Sequence, residues 1–316
     1  MSTTVVTYPI VTALVEAEKI LGADRQWKPV NEMQTRFLKE YFAACRHEKV
    51  PEIESLASWD AAEITAFLTQ RGFPIKIPPF GPRNFGTASV LDLLVEWMEK
   101  GHVTTITREK LGEDASPVAS SWLDRLKSSW ASRQESRPLP AEGYPAVLIA
   151  SKHVAFFRAP HHKYPIASLK TKSQDRVYMT MLDDPHANFD LVAKSQEFSR
   201  ALKPTDEFEG LIFPMVDLDQ RVDVDWLVGL ETTEVRGELA RIDRALQQTR
   251  LRMNELGARA ESAVVLTVSG AALRFKPPHI INRPFLIWFE RKGLSKPLFV
   301  GHITEEDWRN PGELTK

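Results

Sequence analysis

Apolar positions along the chain follow a helical spacing at the start and a strand spacing towards the end. In residues 30 to 46, Val30, Met33, Phe37, Tyr41 and Cys45 recur every three to four positions, while Arg36, Lys39, Glu40 and Arg46 take the other side. With a similar stripe over 9 to 21, this predicts two amphipathic helices. Ser58 or Asp60 can cap a third helix through Ala61, Ile64, Phe67 and Leu68 that stops at Arg71-Gly72. After the proline-rich connector 74 to 82, Asn84 to Leu91 leads into a further helix running to Gly101, with Val90, Leu94, Trp97 and Met98 on one stripe. Between His102 and Pro145 one helix is clear, opened by Ser116-Pro117 and carrying Trp122, Leu126 and Trp130, with a polar linker over 132 to 143 after it.

The second half reads mainly as strands. Residues 146 to 157 form a long β-type run, 177 to 181 a second, and 211 to 218 a third, followed by a short helix over 224 to 230 ended by glycine. Residues 184 to 202 suit either a helix or polar irregular chain. Over 238 to 260 two patterns compete. Leu239, Ile242, Leu246, Met253, Leu256 and Ala260 fit a helical repeat among good helix formers, whereas a strand over 247 to 255 turns Leu251 and Met253 inward and Arg250 and Arg252 outward. The apolar runs Pro284 to Glu290 and Pro297 to Ile303 flank a polar turn containing Gly293, which predicts a buried β-hairpin.

Between Gly257 and that hairpin the connection is too long for an ordinary loop in a compact domain. Taken in twos, one of its faces is Ala258, Ala260, Ser262, Val264, Leu266 and Val268; the other is Arg259, Glu261, Ala263, Val265, Thr267 and Ser269. The first face is small, then apolar, and carries no charge, as a strand must be to enter a packed sheet.

Composition narrows the classes. The chain has 316 residues, 43% of them hydrophobic, enough for one large domain or two modest ones. A formal net charge of −1 removes the electrostatic case for nucleic acid or an anionic membrane as partner. Cys45 is the only cysteine, so neither an internal disulfide nor a thiolate metal cluster is expected. The first residues lack a basic segment ahead of an apolar core, so the expectation is an unsecreted, cytoplasmic protein, and no run is long and apolar enough to span a membrane.

Candidate chemistry is thin. His153, His161 and His162 lack an acid or second histidine at helical spacing and read as core or solvated residues. Ser269-Gly270 and Gly301-His302 lack the setting of a nucleophile elbow. Asp217, Asp219, Asp223 and Asp225 alternate without the glycine and terminal glutamate of a calcium loop, and no glycine-rich phosphate loop occurs. Neither an enzyme nor a metal or other cofactor is expected.

Three stretches in order carry a family resemblance: Glu255-Leu256-Gly257-Ala258-Arg259-Ala260-Glu261-Ser262-Ala263, then Asn282-Arg283-Pro284-Phe285, then Leu298-Phe299-Val300-Gly301-His302-Ile303. They resemble the serpins, whose pattern is a hinge E-x-G-T-x-A-A-A-A, an exposed bait loop, and paired C-terminal strands N-x-P-F … L-F-x-G. The resemblance implies an α+β fold with a large central β-sheet, packed helices, the C-terminal β-hairpin and an exposed reactive loop. Little chain lies between His102 and Pro145, which implies a reduced helical middle. The match covers mainly residues 144 to 311, with a looser one over 60 to 101, where Asn84 to Leu91 is similar to the start of the family's central buried helix. The expected division is a helical extension over 1–58 and a serpin-like domain over 59–316. The resemblance also favours the strand over 247 to 255, and makes the run 146 to 157 similar to the central strand of the family's main sheet.

As activity it implies inhibition of serine proteases by a bait loop that is cleaved and inserts into the main sheet. Glu255, Gly257, Ala258, Ala260 and Ser262 would form the hinge, and Ala271-Ala272 the reactive bond, suited to elastase-like or subtilisin-like serine proteases. Leu273-Arg274 is the alternative bond, for chymotrypsin-like or trypsin-like enzymes. Ala258 stands where threonine is usual, and Arg259 and Glu261 bring charge to a stretch normally rich in alanine. A serpin-fold protein that binds a partner without trapping it is the second reading, and an unrelated α/β domain the third.

Overall fold

The computed structural model describes residues 1–22, 26–81, 84–93, 95–107, 143–184, 186–222, 224–233, 239–256 and 276–314. Its largest element is a seven-stranded, wholly antiparallel sheet around the C-terminal hairpin. With strands numbered by position in the chain, the order across it is β1 (Thr3–Val5), β17 (Phe299–Ile303), β16 (Phe285–Glu290), β9 (Arg176–Met181), β8 (Ile166–Lys170), β7 (Val154–Arg158) and β10 (Lys203–Thr205). The predicted hairpin forms, with Phe285 opposite Ile303 and Trp288 opposite Val300, and Gly293 supplies the positive φ of its turn, +93°. On the other side Trp288 faces Tyr178 of β9, their rings stacked 5.0 Å apart.

A four-stranded sheet has the order β15 (His279–Ile280), β11 (Gly210–Pro214), β6 (Gly143–Ala150) and β5 (His102–Thr107), with β15 parallel to β11. Three strand pairs complete the β structure: β12 (Val216–Val222) with β14 (Gln247–Met253), β3 (Ile53–Ser58) with β4 (Gly86–Leu91), and β2 (Trp27–Lys28) with β13 (Glu231–Thr232).

The first three predicted helices form, while the short helix expected over 224 to 230 is only a 3₁₀ turn, Asp225–Leu227. The described helices are α1 (Thr7–Leu21), α2 (Glu32–Phe37), α3 (Ala43–Cys45) joined to α2 by a π-helical turn Leu38–Phe42, α4 (Ala61–Gln70) and α5 (Asn188–Arg200). Asn31 caps α2 by accepting from Gln34 N at 2.8 Å, and Asp60 caps α4 by accepting from Ala62 N at 2.8 Å. Helix α5 resolves the ambiguity over 184 to 202, and the conflict over 238 to 260 resolves as strand β14, with Leu251 and Met253 buried. Its outward arginines pair with β12, Arg250 with Asp219 at 2.9 Å and Arg252 with Asp217 at 3.5 Å. Those ion pairs also occupy two aspartates of the acidic alternation.

Elsewhere the structure corrects the sequence reading. The helix expected to run to Gly101 does not form: residues 86 to 91 are strand β4, in which Ala88 and Val90 are buried in alternation. Its partner is β3, opposite it from Ile53 to Leu91 through Ser58 to Gly86, and this non-local pairing overrides the helical spacing. Nor is 146 to 157 one central strand. It breaks at a 3₁₀ turn, Ser151–His153, and sends β6 and β7 into different sheets. The run 211 to 218 likewise divides at Met215, whose N–H donates to Pro145 O, between β11 and β12. The helix through Trp122 to Trp130 and the linker after it lie outside the described residues, apart from Gly143.

Residues 1–58, expected as a helical extension, contribute to the core. β1 forms the edge of the seven-stranded sheet beside β17, and Tyr8, Val11, Leu14, Phe37 and Phe42 share one buried cluster with Trp288 and Val300. At roughly 1.5–3 kcal/mol per fully buried large side chain, those five alone are comparable with the about 5–15 kcal/mol that stabilises a whole domain. Deleting residues 1–58 is therefore expected to abolish the cooperative thermal transition. Calorimetry of the truncated chain checks this, and a sharp transition at the parent temperature would contradict it.

Candidate functional site

Strand β14 ends at Met253 and runs straight into the segment singled out by its uncharged face. Of the hinge residues, Glu255 is described; Gly257, Ala258, Ala260 and Ser262 lie outside the described residues, as do the bonds Ala271-Ala272 and Leu273-Arg274. The two ends of the segment are defined. At the first, buried Asn254 accepts from Leu256 N at 2.9 Å through Oδ1 and donates from Nδ2 to Gly312 O at 3.0 Å. Its carbonyl accepts from Trp97 Nε1 at 3.0 Å, and the carbonyl of Glu255 accepts from Gly101 N at 2.7 Å. At the second end, Lys276 Nζ bonds Asp206 at 2.8 Å, and β15 then pairs with β11.

Beside β14 lies an open cleft. One edge of the strand is paired with β12; the other has no strand partner among the described residues, and the same holds for one edge of β4. Between them is a space of about 2380 Å³, lined by Leu251 and Met253 of β14, Val90 of β4, Leu14 of α1, and Phe73 and Phe80 of the chain between α4 and β4. A pocket for a small ligand occupies roughly 300–1,000 Å³, so this cleft is on the scale of a peptide segment.

Strand direction is the same on both walls. Arg250 of β14 reaches Gly72, next to Arg71, whose guanidinium pairs with Glu54; Glu54 sits opposite Val90 of β4. Further along both chains, Trp97 meets Asn254. A segment lying between the walls and entering from the Asn254 end would thus run antiparallel to both edges, the arrangement of an ordinary ladder.

One side chain spans the cleft. Arg250 donates from Nε to Asp219 and from Nη1 to Gly72 O at 2.6 Å, with its guanidinium carbon 4.7 Å from the centre of the Phe73 ring. It ties β14 to the end of α4. Gly72 holds φ +79°, the left-handed conformation that ends α4 and that favours glycine.

The other candidates are scattered. His162 Nε2 lies 2.7 Å from Thr180 Oγ1, and burial pushes its pKa down to about 4. His161 is exposed at φ 59°, and His153 is 3.5 Å from Glu99. His302 is buried in β17 and donates from Nε2 to Leu182 O at 2.9 Å. Ser269, Gly270 and Asp223 lie outside the described residues, and Asp225 opens a 3₁₀ turn. Among the described residues no group of three or more His, Cys, Asp or Glu converges. Sequence reasoning missed the clasp by Arg250, since nothing local to 250 or 72 signals their meeting.

No protein-family model matches the chain, and no curated protein matches it by sequence. Solved structures do match by fold. SRPN18 from Anopheles gambiae superposes with a TM-score of 0.52 at 11% identity, covering 99% of this chain and 94% of that one. Thyroxine-binding globulin in complex with thyroxine gives 0.50 at 10% identity, covering 96% and 92%. Serpin48 from the insect Tenebrio molitor gives 0.49 at 11%, covering 96% and 91%.

If the clasp couples the two walls, Arg250→Ala and Phe73→Ala should each lower stability. The double variant should lose less than their sum, by about 0.5–1 kcal/mol. Urea unfolding of the four proteins measures this, and strictly additive losses would show that Arg250 and Phe73 do not act together.

Proposed function

Since the chain has the serpin fold, divergent in sequence and shortened in its middle, we propose that it inhibits serine proteases, with the segment after β14 as bait. The observation that supports this is the cleft itself. It begins where the hinge begins, is bounded by two strand edges running the same way, and presents apolar side chains, among them Leu14, Phe73, Val90, Leu251 and Met253, in a lining that also holds charged and polar residues. The uncharged face of Ala258, Ala260, Ser262, Val264, Leu266 and Val268 suits such a lining.

Interior strands of the seven-stranded sheet are paired on both edges, and β14 is not among them. A freed segment would instead lie between β14 and β4, entering at Gly257 as a strand antiparallel to both.

In this reading the protease serine oxygen attacks the carbonyl carbon of Ala271. An acyl bond forms, the Ala271-Ala272 peptide bond breaks, and the Ala272 amine leaves with a proton. Insertion of the freed segment then carries the acylated protease away from its own water-activating geometry. A small residue at the cleaved bond suits elastase-like or subtilisin-like enzymes, and Leu273-Arg274 offers a second bond to chymotrypsin-like or trypsin-like ones. The similarity to thyroxine-binding globulin, solved with thyroxine, supports the alternative of a serpin-fold protein that binds a partner without trapping it.

Incubation with an elastase, a subtilisin, a chymotrypsin and a trypsin distinguishes the two. Inhibition predicts an SDS-stable complex with at least one of them. It also predicts that Ala260→Arg becomes a substrate, because a lone charge carried under the inserted strand would cost several kcal/mol. Cleavage between 271 and 274 without any such complex, in the parent and the variant alike, would favour the binding protein.

A further inference from the structure

His279 is one of the two residues of β15, the strand that anchors the far end of the segment 257–275. It is 1% exposed, and neither ring nitrogen has a hydrogen-bond partner among the described residues. Its surroundings are aromatic: Phe208 lies 5.1 Å away and Phe156 of β7 6.1 Å, centre to centre. A buried polar ring without a partner is costly, and costlier still if charged.

The charged groups facing it do not change this. Arg158 of β7 and Glu207 of the turn before β11 act on it with opposite sign, and they pair with each other at 2.6 Å. Arg158 holds the Glu207 carboxyl below its usual range, and Lys276 does the same for Asp206. Glu209 accepts from Lys276 N at 3.3 Å, and β11 presents only Leu211 and Ile212 opposite β15. Burial pushes His279 down to about 4, so the docked strand holds a neutral imidazole.

We propose that β15 is an acid-released latch: protonation of His279 favours release of β15 from β11, which frees the C-terminal anchor of residues 257–275. The strand is short enough to open locally, being held by two residues in register with Leu211 and Ile212 and by Ile281 N donating to Ile212 O at 2.9 Å. Linkage fixes the sign. A released imidazole titrates near its ordinary value of about 6.5, so below that pH the open form binds more protons than the docked one. Docking is fully favoured above that value, weakens by up to about tenfold per pH unit as pH falls, and levels off once the docked histidine also titrates. The other depressed histidines are held differently, His162 beside Thr180 and His302 on Leu182 O. This latch does not depend on protease inhibition.

Amide hydrogen exchange of the full chain at pH 7.5 and 5.0, corrected for intrinsic rates, tests it. Protection of a peptide covering 276–283 should fall by roughly thirtyfold, while 285–303 keeps its own. His279→Leu should hold 276–283 protected at both pH values, and His279→Phe provides a second non-titrating side chain suited to the aromatic pocket. Unchanged protection in the parent, an equal fall in both variants, or loss over 285–303 in step with 276–283 would each overturn the proposal.

Discussion

The strands of the C-terminal hairpin have no face to give to water. Phe285 to Phe289 and Phe299 to Ile303 are all buried, so the hairpin must be paired on both edges and covered on both sides. β9 takes one edge and β1, from the other end of the chain, takes the second. Helix α5 covers part of one side, where Trp288 Nε1 donates to Ser199 Oγ at 3.0 Å and Phe198 packs on the indole. The first residues of the chain are thereby committed to the core.

The hairpin also sets the wall of the cleft. Arg291, in its turn, donates to Asp175 from Nε at 2.7 Å and clasps Glu52 through both terminal nitrogens at 2.7 Å. The Asp175 side chain is fully buried, and the two carboxylates raise the pKa of Arg291 and keep it charged. Glu52 immediately precedes β3, so the network fixes the β3–β4 pair relative to the large sheet. Removing one partner of such a group leaves a buried charge unpaired, at a cost of about 3–5 kcal/mol. Arg250 performs the matching task across the cleft.

What was legible in the sequence was what is encoded locally. The hairpin announces itself by two apolar runs and a glycine turn, α4 by Asp60 and Gly72, and β14 by Leu251 and Met253 alternating with Arg250 and Arg252. Strand β4 was hidden because Val90 and Trp97 also fit a helical stripe and its partner β3 carries no strong pattern. The run 146 to 157 hides its break because only Ser151, Lys152 and His153 interrupt the apolar residues, with neither glycine nor proline to mark the turn. The cleft could not be read at all, since it exists through the meeting of residues near 72, 90, 97, 250 and 254. Nothing in the sequence singled out His279, since its lack of partners among the described residues is a fact of packing.

The central claim is that the segment after β14 gains by entering the cleft. Val264, Leu266 and Val268 leaving water would contribute roughly 1.5–3 kcal/mol each, before any backbone pairing. A gain of several kcal/mol corresponds to a rise of roughly ten degrees or more in the melting temperature of a chain of this size. The direct measurement is calorimetry of the intact protein beside protein cleaved between 271 and 274. The cleaved form should melt well above the intact one; equal or lower melting would show that the segment does not enter the cleft.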